Sequence, residues 1–140
     1  MNTKRLFFAF FTAFIFIFFF EFLWHGILMK SSYMEVPVLW RPEVDFNSHF
    51  PILVLGHAVM AFFLAAIYAR FIGEGGAAAG AALGLMIAAI GIGGDLITFA
   101  VQPLTPKILE LWIAGALVEF AIAGAIVGAI YKPSAASSPA

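Results

Sequence analysis

Four stretches of the chain stay apolar for twenty residues or more, and each carries at least one ionisable side chain. They run from Leu6 to Met29, Pro51 to Ile72, Ala77 to Val101 and Ile108 to Tyr131. A bilayer core of about 30 Å needs roughly 20 apolar residues per helix, so each stretch is long enough to span one. Pro51 suits a first helical turn, where its missing N–H is an orphan in any case. Pro103 and Pro106 mark a tight turn between the third and fourth stretches, because neither can continue a helix. The pattern predicts an all-α integral membrane protein: a four-transmembrane-helix bundle over residues 1–132, with one long outer loop, Lys30 to Phe50. Residues 133–140, small and polar, read as a disordered tail.

Composition agrees with the pattern. Of 140 residues, 64% are hydrophobic and 11% charged, against about 25% charged in soluble domains. Mean hydropathy is +1.05, so lipid is the expected solvent and the bilayer the first partner. The net charge of -1 and the lack of a basic tract give no sign of nucleic-acid binding. With no cysteine, disulfides and thiolate metal sites are excluded. Lys4 and Arg5 before an apolar run resemble a signal peptide. No small-residue cleavage site follows, so the segment reads as a retained helix. Lys4, Arg5, Arg70 and Lys132 on one side outnumber Lys30, Arg41 and Lys107 on the other. The positive-inside rule then puts both termini in the cytoplasm.

The third and fourth stretches carry small residues four apart: Gly76, Gly80 and Gly84 on one, Gly124 and Gly128 on the other. That spacing lets helix backbones approach closely, within one chain or between chains. The first two stretches are aromatic-rich instead. This argues against an inverted-repeat transporter.

An ionised side chain at the centre of a spanning helix costs about 2.5 to 3.5 kcal/mol on insertion scales. The chain nonetheless places Glu21 and His25 in the first stretch, His57 in the second, Asp95 in the third and Glu119 in the fourth. Counting inward from the outer ends at about 1.5 Å per residue puts Glu21, His57 and Asp95 in one layer. Glu119 comes out nearer the midplane. His25 stacks one turn from Glu21 on the same helix face.

Three readings fit this polar layer. Its members satisfy one another and fix packing; or they relay protons, since His titrates near neutral pH; or His25, His57, Glu21 and Asp95 ligate a divalent metal, or the two histidines a haem. His49 falls in the outer loop and reads as a solvated side chain. Thr98, three residues after Asp95, is expected to bond a backbone carbonyl or that carboxylate. Gly93-Gly94 is expected to permit a kink or a close helix approach. No serine or threonine has a base at a diagnostic spacing, and GIGGD at 91–95 has neither the preceding strand nor the Gly-Lys-Ser of a phosphate loop. The sequence therefore leans away from an enzyme and names no catalytic residue.

The segment WHGILMKSSY, with LWRPE at 39–43, resembles a group of small four-helix bacterial inner-membrane proteins with a His-Gly ending helix one and a Leu-Trp-Arg-Pro loop. The resemblance covers the first third of the chain. It implies the four-helix topology and draws attention to His25, Tyr33, Trp40 and Arg41. The expected role is a non-enzymatic subunit or accessory protein of a larger membrane complex, associating with other membrane subunits or with itself and holding no cofactor. The alternatives are a proton- or metal-linked carrier and a haem- or metal-binding membrane protein.

Overall fold

A computed structural model describes residues 2–132. It is all-helical. Helix α1 spans Thr3–Glu21 and runs on into a π-helical segment, Phe22–Leu28. A four-residue helix α2, Lys30–Tyr33, follows. Three long helices complete the chain: α3, Glu43–Phe71; α4, Gly76–Val101; and α5, Pro106–Ile130. Four helices are long and apolar enough to cross a membrane: Thr3–Leu28, Glu43–Phe71, Gly76–Val101 and Pro106–Ile130.

Two expectations need correction near Pro51. The connection after α1 is shorter than Lys30 to Phe50, because α3 begins at Glu43. Pro42 sets the start: its carbonyl accepts the Phe46 N–H at 2.8 Å. Glu43 and Asp45 then stand in the first turn, where negative charge suits the helix dipole. Pro51 therefore lies inside the helix, not at its first turn, and its side chain is exposed. His49 is likewise helical, its Nδ1 2.9 Å from the Asp45 carbonyl oxygen. Within the shortened connection, Pro37–Leu39 forms a single 3₁₀ turn.

The core combines alanines with larger residues such as Ile17, Leu64, Tyr68, Ile108 and Tyr131, while many phenylalanines face outward. Ala9, Ala13, Ala61, Ala65, Ala88 and Ala123 are buried, whereas Phe7, Phe19, Phe22, Ile90 and Ile97 are each more than half exposed. Helix α1 lies between α3 and α5, and α4 rests chiefly on α5. The α4–α5 seam is the closest approach. A Cβ at Gly84 would collide with the Phe120 carbonyl, and one at Gly80 with that of Gly124. Gly128 meets the Gly76 carbonyl in the same way. Farther along α4, a Cβ at Gly91, Gly93 or Gly94 would meet nothing within 4 Å. The glycines beside Asp95 therefore mark no close helix approach.

The two ends of the long helices differ. At one end the Asn2 N–H reaches the Tyr131 hydroxyl at 3.2 Å, and the Tyr68 hydroxyl donates to the Gly76 carbonyl at 3.1 Å. The start of α1 and the end of α5 thus share a side. Gly73, at φ 73°, makes the turn from α3 to α4, a backbone conformation that favours glycine. At the other end, Met29, Leu104 and Ile108 form a second apolar cluster under Trp24, Tyr33, Trp40 and Trp112.

Candidate functional site

The polar residues sit on the same helical rows that build the core. On α1, Ala9, Ala13 and Ile17 are buried at intervals of four, and Glu21 is the next member of that row. On α3 the row is His57, Ala61 and Ala65; on α5 it is Gly115, Glu119, Ala123 and Val127. Side chains four apart lie on one face. Helices that pack by these rows turn Glu21, His57 and Glu119 toward a common interior, and their register brings the three together.

Glu21 is the hub. One carboxylate oxygen lies 3.5 Å from His25 Nε2, the other 3.8 Å from His57 Nε2. The Glu119 carboxyl faces that of Glu21. Glu119 is 2% exposed and His57 7%. Two polar atoms in this cluster have no hydrogen-bond partner among the described residues, Glu119 Oε1 and His57 Nδ1. Buried polar atoms are nearly always paired, so these two stand out.

From His25 the chain of polar contacts continues outward. The Tyr33 hydroxyl lies against His25 Nδ1. Trp112 Nε1–H donates to the same hydroxyl at 2.8 Å, and Met29 Sδ is 3.5 Å from it. Trp40 Nε1–H donates to the Tyr33 carbonyl at 3.0 Å, and the two rings lie 4.6 Å apart. Burial, above all, pushes the Tyr33 phenol up to about 12. The Trp112 hydrogen bond opposes this, and the Glu21 and Asp95 charges add to it. Trp24 lies across Gly115, with its Nε1–H donating to the Leu111 carbonyl at 3.1 Å.

The π-helical segment makes this junction possible. The Met29 N–H bonds the Trp24 carbonyl, five residues back, at 2.9 Å. One extra residue in the turn rotates everything beyond it by about 100°. That rotation helps aim Tyr33 back at His25.

The structure regroups the sequence candidates. Glu21, His25 and His57 come together as the counting suggested. Glu119 joins them, although counting put it in a deeper layer. Asp95 does not: it makes no hydrogen bond or ion pair among the described residues and acts on His25 and Tyr33 only through its charge. Thr98 donates to the Gly94 carbonyl at 3.0 Å and not to Asp95. Among the described residues, no group of three His, Asp or Glu side chains is arranged to hold a metal ion. Both imidazoles turn Nε2 to one carboxylate, so neither presents it freely to a haem iron. Arg41 pairs with Asp45 at 2.7 Å on the exposed side of α3, and Lys107 with Glu35 at 3.3 Å.

Three contributors were missed in the sequence: Met29, Trp112 and Gly115. Gly115 had a usable signal, since it heads the row that leads to Glu119. Trp112 and Met29 had none, because an indole or thioether beside a hydroxyl depends on another helix. Comparison with protein-family models, with curated proteins and with solved structures finds no match to this chain.

Proposed function

We propose that the chain is an integral membrane protein of four spans, with both termini on the cytoplasmic side of a bacterial inner membrane. Its role is proton-linked and non-enzymatic: the Glu21–His25–His57–Glu119 cluster takes up and releases a proton inside the bundle. Four helices of spanning length, a glycine-lined α4–α5 seam and outward-facing phenylalanines support the membrane reading. In lipid, helix association depends on close van der Waals packing and not on burying large side chains from water.

One observation carries the proton reading. Two carboxyls and two imidazoles share one cluster, Glu21 and His25 half-buried and His57 and Glu119 buried, and Glu119 Oε1 and His57 Nδ1 have no partner among the described residues. A cluster kept only as packing glue would be expected to satisfy these atoms, since each unmade bond costs about 1–3 kcal/mol. Carboxyls and imidazoles in mutual contact can share a proton and pass it on, which apolar packing residues cannot.

The test is proton flux in proteoliposomes with an internal pH dye and an imposed pH gradient. Wild-type protein dissipates the gradient several-fold faster than empty liposomes, and Glu119→Gln returns the rate to the empty-liposome value. Equal rates for wild type and Glu119→Gln would sink the proposal.

A second reading, a subunit or accessory protein of a larger membrane complex, draws on α4. That helix rests chiefly on α5 and leaves Gly91, Gly93 and Gly94 without neighbours. A stoichiometric partner chain, purified in mild detergent and lost on Gly94→Leu substitution, would favour it.

A further inference from the structure

We infer that Tyr33 is a positioning residue: its hydroxyl fixes which nitrogen of His25 carries the proton, keeping Nε2–H turned toward Glu21. This deepens the proton-linked reading and rests on it for its biological meaning, but the geometry stands by itself.

The argument is an inventory of donors. An indole N–H only donates, so Trp112 occupies a lone pair of the Tyr33 oxygen. The phenol then has one hydrogen to give and two acceptors in reach, His25 Nδ1 and Met29 Sδ. A thioether is a weak acceptor, and an imidazole lone pair is a good one. The ring planes lie within 11° of each other with centroids 6.0 Å apart. The hydroxyl lies against Nδ1, the ring nitrogen that a neutral imidazole can offer as an acceptor. Nδ1 accepts, so in the neutral imidazole Nε2 carries the hydrogen, and Nε2 is the atom beside Glu21. Because the phenol ionises only near pH 12, it remains a donor throughout the physiological range.

The same contacts supply the second state. When His25 takes up a proton, Nδ1 becomes a donor and the Tyr33 oxygen must accept from it. The phenol hydrogen then turns to Met29 Sδ, 3.5 Å away. No ring has to move. The groups that bear on His25 are Glu21 on its own helix, Tyr33 on α2, His57 from α3 and Asp95 from α4. Trp112 of α5 reaches it through Tyr33, and Glu119 of the same helix through Glu21. Tyr33 is the one of these attached to the connection between the first two long helices, so it also links the cluster to that side of the bundle.

The experiment is nitrogen-15 NMR on full-length protein labelled at histidine, in lipid nanodiscs at neutral pH. The ring shifts separate the two neutral tautomers. Wild-type His25 is expected to favour Nε2–H roughly tenfold, the scale of one net hydrogen bond. Tyr33→Phe keeps the ring and removes the hydroxyl, and it should lower the ratio several-fold, to what the Glu21 carboxylate beside Nε2 sustains by itself. Met29→Leu should leave the neutral tautomer alone but move the His25 titration midpoint, because only the protonated state uses the sulfur. A wild-type His25 found as Nδ1–H, or an unchanged ratio in Tyr33→Phe, overturns the assignment. The wild-type spectrum decides even where a variant fails to fold. The readout is independent of flux: a fixed Nε2–H tautomer with no proton flux would defeat the proposed function and leave this assignment standing.

Discussion

The α4–α5 seam and the Glu21 cluster are both places where helices meet closely, but they are built on opposite terms. The seam is apolar and close: Gly80 and Gly84 face the Gly124 and Phe120 carbonyls, with no room for a methyl group. Nothing there can change state. The cluster holds two carboxyls and two imidazoles, with Glu21 as hub, and two of its buried polar atoms have no partner among the described residues. The seam gains stability from contact and has no chemistry. The cluster gives up some stability and gains groups that can hold or release a proton.

The contrast can be broken most sharply at the seam. Gly84→Val drives a side chain into the Phe120 carbonyl, a backbone atom that cannot step aside. It should cost about 3 kcal/mol or more, at the top of the overpacking range, and chemical denaturation in detergent would measure it. A value near zero would mean α4 does not pack on α5 as described.

Glu119→Leu tests the other side. Glu119 shares a hydrogen bond with Glu21, so removing it leaves that carboxyl one partner short, a loss of about 1–3 kcal/mol. The expected outcome is a folded, modestly destabilised protein with its proton flux gone. A folded Glu119→Leu protein that keeps wild-type flux would make Glu119 packing glue.

Tyr33 gives a pH signature. Its phenol is pushed from 10.0 to about 12 in the fold, so the unfolded chain loses this proton first. The stabilising contribution is constant below pH 10 and is lost as pH rises from about 10 to about 12. Two units correspond to about 2.7 kcal/mol, which partial exposure reduces to about 1–2 kcal/mol. Stability measured across that window should fall more steeply in wild type than in Tyr33→Phe.

Gly115→Ala sets a methyl group 2.5 Å from the Trp24 indole. A side chain can yield where a backbone cannot, so the cost should be about 1 kcal/mol, with a shift in tryptophan emission as the Leu111 hydrogen bond breaks. The smallest effect belongs to Gly94→Ala. The added Cβ meets nothing, and helix propensity favours alanine by up to about 1 kcal/mol. The two glycine substitutions on α4 should therefore have opposite signs.

The sequence by itself determined the apolar spans and their approximate limits, because twenty-residue apolar runs leave little choice of solvent or of secondary structure. It also marked the polar residues and the glycine spacing of α4 and α5, since intervals of four are written into a helix. It placed Pro51 wrongly, because proline's tolerance for a first turn is a preference that the Pro42 start and the acidic first turn of α3 outweigh. It could not show the π-helical segment: one extra residue per turn leaves no mark in composition, yet it rotates Tyr33 onto His25. Only the tertiary structure decided that Glu119, not Asp95, completes the cluster. Counting residues from helix ends gives depth alone, whereas contact depends on depth and on the direction each row faces. Those directions were settled by which alanine and glycine rows fit together, and that is a property of helix pairs and not of any one segment.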